Sequence, residues 1–283
     1  MPTFTTLGPV TVDVDLGAGS VHVIASDRDD TLVTLLPWRE SKSVDSRAVT
    51  ETTVELVGDR LVVRTPRGWR YYGPFESGGV NVTVELPSGS SVEGRTGFGA
   101  LVAEGRLGSV RFKTGSGDLR VDDAERLELK TSSGTVAVGR VTGPAELSTA
   151  AGTVRLRSVA GSAVVKNPNG ATVVGEVTGS LEIRGSAEVD RVAGSLTARA
   201  AYGELRVERV ESGSVTLDTN YGGVEVGVPL GTAVWLDVTS RHGAVRNLLE
   251  ASGAPAEGDR TAELHVTTGW GNVLLRRPEE VLR

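Results

Sequence analysis

No cysteine occurs anywhere in the 283-residue chain. Disulfides, thiolate metal sites and cysteine nucleophiles are therefore excluded. A basic surplus is also missing: 30 Lys and Arg stand against 36 Asp and Glu, giving a net charge of −6 with the two signs mixed throughout. Such a surface offers no electrostatic footing for nucleic acid and no basic patch for an anionic membrane. The best uncharged apolar run, residues 226–236, is too short to cross a bilayer and contains Gly and Pro. The opening Met1-Pro-Thr-Phe-Thr-Thr has neither the basic nor the apolar region of a signal peptide. The expected compartment is the cytoplasm, with the cell surface as the alternative for a shortened chain. Helical periodicity is nearly absent; only Leu248–Ala251 and the C-terminal 278–283 read as candidate helical turns.

Motifs that carry chemistry are equally scarce. There is no Gly-x-Ser-x-Gly elbow and no P-loop. The Gly-x-Gly pairs at 17/19, 97/99, 115/117 and 269/271 never reach the third glycine of a dinucleotide fingerprint. His22, His242 and His265 lie far apart without ligand spacing. Gly115-Ser-Gly-Asp118 looks like half of a calcium-binding solenoid repeat, but no other of the ten rungs has Asp at that place, and one Asp does not make a ligand ladder. The expectation is a chain with no catalytic residue, no metal and no cofactor.

What the chain does have is glycine at a fixed period. Gly99-Ala-Leu101-Val-Ala103, Gly117-Asp-Leu119-Arg-Val121, Gly134-Thr-Val136-Ala-Val138 and Gly152-Thr-Val154-Arg-Leu156 begin a series that continues at 170, 185, 203, 222, 243 and 271. Its steps are 18, 17, 18, 18, 15, 18, 19, 21 and 28 residues. A period of this size means one unit stacked on itself. Between the glycines, apolar and polar residues alternate as in half-buried strands. The reading is all-β: a parallel β-solenoid of about ten rungs with an irregular N-terminal β cap. Three segments are expected: residues 1–90 as cap and early rungs with an aromatic loop at 66–79, 91–277 as repeats, and 278–283 as a C-terminal cap. Within the first, strands near Leu32–Leu36, Val49–Val57 and Leu61–Thr65 are expected to pair antiparallel, with Gly58-Asp59 as a hairpin turn.

Two columns accompany the glycines. Three residues before each stand Thr96, Thr114, Thr131, Thr149, Asn167, Glu182, Ala200, Thr219, Ser240 and Thr268, mostly small hydrogen-bonding side chains suited to a turn. Immediately before the last four stand Tyr202, Tyr221, His242 and Trp270. Only twelve Phe, Trp and Tyr occur in the chain, so this run is conspicuous; on four successive rungs it would form a strip along one edge. Trp69, Tyr71, Tyr72 and Phe75 cluster in the second aromatic feature, the loop, with Arg67 and Arg70. These eight are the candidate binding residues.

The rungs Lys113-Thr-Gly-Ser-Gly-Asp-Leu-Arg-Val121, Lys130-Thr-Ser-Ser-Gly-Thr-Val-Ala-Val138 and Ser148-Thr-Ala-Ala-Gly-Thr-Val-Arg-Leu156, with the lead-in Asn81-Val-Thr-Val-Glu-Leu-Pro-Ser-Gly89, resemble the bacterial "putative adhesin" β-strand-repeat family of unknown function. The likeness implies a β-solenoid without established catalysis; a more distant one to bactofilins implies self-assembly. The leading expectation is a non-enzymatic, adhesin-like binding or scaffold protein whose partner is a protein, a glycan or a second copy of itself. The alternatives are a self-assembling structural element and a β-helix carbohydrate-active enzyme.

Overall fold

Alternating Val, Leu and Thr with small polar residues gives strands whose two faces differ, and the strands inside the repeats use this pattern to bury one face. The computed structural model describes residues 2–66, 78–250 and 260–278, and the chain divides into two compact units, Met1–Thr149 and Ala150–Arg283. The regular structure of the described residues is strand, apart from one helix.

In the first unit the strands are β1 (Thr3–Thr5), β2 (Thr11–Ala18), β3 (Val21–Ser26), β4 (Asp30–Pro37), β5 (Thr53–Val57), β6 (Arg60–Arg64), β7 (Val80–Pro87), β8 (Ser91–Phe98), β9 (Leu101–Ser116), β10 (Leu119–Ser133), β11 (Val136–Val141) and β12 (Ala145–Ala151). They form two rows. In one, β6, β2, β8 and the second halves of β9 and β10 stack in parallel, with β5 added antiparallel to β6. In the other, β7, β3, the first halves of β9 and β10, and β11 stack in parallel. There β4 runs antiparallel beside β7, and β1 antiparallel beside β4. Inward residues from both rows, such as Val12, Val23, Leu101, Phe112 and Leu129, are fully buried.

The expected strand at Val49–Val57 is corrected in part. Residues 53–57 do pair antiparallel with 60–64 across Gly58-Asp59, but Ser43–Glu51 is an α-helix, α1. Its β-branched residues misled the sequence reading, because tertiary contacts rather than periodicity hold it. Asp45, in its first turn, is fully buried and accepts bonds from Arg39 N (2.9 Å), Arg39 Nε (2.7 Å) and Gly79 N (2.8 Å). The Arg39 guanidinium holds this carboxyl below its ordinary pKa, outweighing burial. Conversely, residues 248–250 form no helix. Ala251 and 279–283 lie outside the described residues. No helix of the described residues is long and apolar enough to cross a membrane.

In the second unit the strands are β13 (Val154–Val159), β14 (Ser162–Val177), β15 (Ser180–Val192), β16 (Ser195–Tyr202), β17 (Leu205–Val210), β18 (Gly213–Tyr221), β19 (Val224–Gly227), β20 (Thr232–His242), β21 (Val245–Asn247), β22 (Arg260–Trp270) and β23 (Val273–Arg276). One row runs through the first parts of β14 and β15, then β16, β18, β22 and β20. The other runs β13, the later parts of β14 and β15, then β17, β19, β23 and β21. All of these pairings are parallel.

The last two rungs therefore stack out of chain order: β22 and β23 lie between β18–β19 and β20–β21. Burial accounts for the choice. The inner rung places Val273 and Leu275 inward, and both are buried; the outer rung would bring Val245 and Asn247, and an amide in that interior has no partner to meet. Arg276 fixes the arrangement by reaching Glu225 (2.5 Å) and Glu208 (2.8 Å) on the two preceding rungs.

Candidate functional site

Each rung turns a corner between its two strands, and what lies at that corner is set by how closely successive rungs approach. A Cβ on Gly117 would run into the carbonyl oxygen of Gly99, and one on Gly271 into that of Gly222. The glycine column is thus required by the stacking distance as well as by the turn. The hydroxyl column serves the same carbonyls. Thr114 Oγ1 donates to Gly99 O (3.1 Å), Thr131 Oγ1 to Gly117 O (3.2 Å) and Thr268 Oγ1 to Gly222 O (3.0 Å). Ser240 Oγ donates to Gly271 O (2.9 Å), which again places the 271 rung inside the 243 rung.

One rung departs from the expected alignment. The register shifts between Lys166 and Ala171, so that Lys166 pairs with Arg184 and Ala171 with Ser186. The 15-residue step deletes the corner rather than shortening it. Glu182 and Arg184 are strand residues opposite Val164 and Lys166, not members of the corner columns. Ser186 Oγ takes over the missing bond, donating to Gly170 O (2.9 Å).

With each backbone corner held in this way, the residue before the glycine is pushed outward. Tyr202, Tyr221, Trp270 and His242 occupy equivalent positions at the ends of β16, β18, β22 and β20. The strip exists, but its order is corrected: chain order places His242 beside Tyr221, whereas Trp270 stands there and His242 comes last. Tyr202 and Tyr221 stack with ring centroids 5.2 Å apart and an 11° tilt; His242 and Trp270 stack at 4.0 Å and 18°. All four are exposed, Tyr202 to 74%. In the first unit the same column holds Phe98, exposed between Ala18 and Ser116, so no ladder forms there. Trp69, Tyr71, Tyr72 and Phe75 lie outside the described residues.

Stacking decides what the ladder can do. Ring faces turned toward a neighbouring ring are covered, so a sugar cannot lie flat on them. On the two stacked pairs, Tyr202–Tyr221 and Trp270–His242, the open groups include ring edges, two phenolic hydroxyls and an indole N–H, which suit the side chains and backbone of a polypeptide.

A third aromatic feature, outside the expected binding residues, lies on β20 and β22. Trp235 is exposed on the outer face of β20, with its ring centroid 5.0 Å from that of His265 on β22. His265 Nδ1 in turn lies 3.4 Å from Asp237 Oδ2. The signal was present in Val234-Trp-Leu236, where strict alternation turns the indole outward.

No curated protein matches the chain. Among solved structures, a "putative adhesin" from Parabacteroides merdae is 11% identical with a TM-score of 0.42, covering 97% of this chain and 94% of that one. One from Bacteroides fragilis is 12% identical with a TM-score of 0.39, covering 97% and 95%. A "putative cell adhesion protein" from Clostridium sporogenes is 11% identical with a TM-score of 0.24, covering 98% of each. The family model described as Toastrack DUF4097 matches residues 11–273. That match lends nothing to the bactofilin likeness, but with nearly the whole chain inside it, this protein belongs to the Toastrack DUF4097 family.

Proposed function

We propose that the chain is a non-enzymatic, adhesin-like binding protein, and that the ladder Tyr202–Tyr221–Trp270–His242 is its contact surface for a polypeptide partner. The observation that carries this reading is the ladder itself: four exposed rings in register on one corner of a chain otherwise poor in aromatics. Side chains of this kind, held rigid by stacking, lose little entropy on contact and dominate the energetics of protein interfaces. Their replacement at an exposed corner leaves the core untouched.

The test is affinity capture from the native cell with the full-length protein and with the Tyr202→Ala/Tyr221→Ala/Trp270→Ala variant. The expected outcome is a discrete protein retained by the parent and depleted at least about tenfold by the variant, the loss typical of removing an aromatic hot spot. The thermal midpoint stays unchanged. Identical captured sets for the two proteins would refute the assignment. A glycan-array signal that depends on the same three residues would replace the polypeptide by a sugar.

A further inference from the structure

Everywhere inside the second unit, a strand has a neighbour on each side; β20 and β21 have one each among the described residues, β22 and β23. The consequence is visible in burial. Leu264 and Val266 on β22 are 0% and 1% exposed, whereas their partners Leu236 and Val238 on β20 are half-buried. On the other row Val273 is buried and its partner Val245 is 44% exposed. Among the described residues this rung thus ends the stack, with its interior row only half covered and one backbone edge without a neighbour.

That edge has a defined set of hydrogen-bonding groups. In this row the outward column at Ser180 and Ser195 donates its N–H groups back to the preceding rung, to Gly161 O and Gly179 O, and Trp235 stands in that column through Ser214 and Glu263, so residues of β20 with outward side chains face β22. By strand alternation, the N–H and C=O groups of Val234, Leu236 and Val238 point away from it. The outward side chains interleaved with them include one acid and one base four positions apart, Asp237 and Arg241. Arg241 is exposed and has no carboxylate partner among the described residues, while Asp237 meets only the imidazole of His265.

We infer that β20 pairs antiparallel with β20 of a second copy of this chain, about a two-fold axis through Thr239. Antiparallel self-pairing through these groups allows only a few registers, and charge separates them. An axis at Asp237 sets acid against acid, and one at Arg241 sets base against base. One at Trp235, Leu236, Val238 or Ser240 leaves both charges without a counterpart. An axis at Thr239 puts each Asp237 opposite the partner copy's arginine at 241, giving two symmetric ion pairs, and brings the two rows containing Leu236 and Val238 side by side. Open strand edges are ready templates for such pairing, and a two-fold contact closes on itself without propagating.

The absence of cysteine makes the register directly testable. Thr239→Cys sets one thiol opposite its own copy in a non-hydrogen-bonded pair, where the Cα atoms stand about 4.5 Å apart, inside the disulfide range of roughly 4.4–6.8 Å. Mild oxidation of full-length Thr239→Cys is expected to trap a covalent dimer. Asp237→Cys and Arg241→Cys yield one only when mixed. In light scattering the parent is expected to dimerise with rising concentration, and Val238→Pro, which removes one outward N–H and none that faces β22, weakens the dimer at least about tenfold. Arg241→Asp weakens it too, and Asp237→Arg with Arg241→Asp restores it. A parent that stays monomeric at millimolar concentration, cross-linking independent of position, or growth into open-ended polymers would each overturn the inference. None of these substitutions touches Tyr202, Tyr221 or Trp270, so loss of the dimer and loss of the ladder's partner are separable results.

Discussion

At the scale of single residues, the corner glycines are governed by a collision that no sequence pattern discloses. Gly117 has φ 148°, and a Cβ there meets the Gly99 carbonyl; Gly58, in the hairpin turn, has φ 64° and open space around it. Gly117→Ala is therefore expected to cost about 3 kcal/mol, combining an unfavourable backbone with overpacking. Gly58→Ala costs about 1 kcal/mol, the backbone contribution alone. Urea unfolding followed by circular dichroism measures both, and equal losses would remove the stacking distance from the explanation. The period of the glycines was legible because glycine and its flanking apolar residues recur by count. The bond from the corner threonines to the neighbouring rung's glycine was not, since that partner lies 15 residues away in sequence at Thr114 and 46 at Thr268. The slip at Gly185 misled for the same reason: counting three residues back finds Glu182, whereas pairing finds a deleted corner.

At the scale of elements, the choice between two similar rungs decides the order of the stack. Val245-Arg-Asn247 and Val273-Leu-Leu275 each follow a corner glycine at the same offset, and strand propensity alone does not say which sits inside. The interior does, because it accepts Leu275 at 1% exposure while Asn247 remains in solvent. Leu275→Ala is expected to destabilise by about 2–4 kcal/mol and Asn247→Ala by less than about 0.5 kcal/mol, as read from equilibrium unfolding. Comparable losses would mean that the two rungs are interchangeable. Parallel pairing is non-local, so alternation reveals that strands exist but not which neighbours they take. The strip of Tyr202, Tyr221, Trp270 and His242 was legible as a set for the first reason and misordered for the second. Helix α1 was missed because Asp45 and Ala48 are its only buried residues, too few to leave a helical period.

At the scale of the whole molecule, opposite charges stack across the rungs of each unit. Glu93, Arg111 and Glu128 lie in register on neighbouring strands, with Arg111 Nε 2.8 Å from Glu128; Arg276 joins Glu225 and Glu208 similarly. Four carboxyls are held below their ordinary pKa: Asp30 by Arg28, Asp45 by Arg39, Glu128 by Lys130 and Arg111, and Glu208 against its own burial by Arg276 and Arg206. Because the folded values are the lower ones, the unfolded chain binds more protons, and the stability they confer is present above pH about 4 and lost as pH falls through the folded values. Lys130 is shifted upward by Glu128, so its contribution fades only on the alkaline side. Calorimetry is expected to show a thermal midpoint that is level between about pH 6 and 9 and falls below about pH 4; a midpoint that rises on acidification would contradict the assignment of these pairs. The swapped last rungs also bear on how the chain is made. A ribosome releases residues 232–247 before 260–276, so the exposed edges of β18 and β19 are offered the wrong neighbour first. Either those edges wait, or a rung already docked must leave to admit β22 and β23, which makes the final residues of synthesis the ones that settle an interior position.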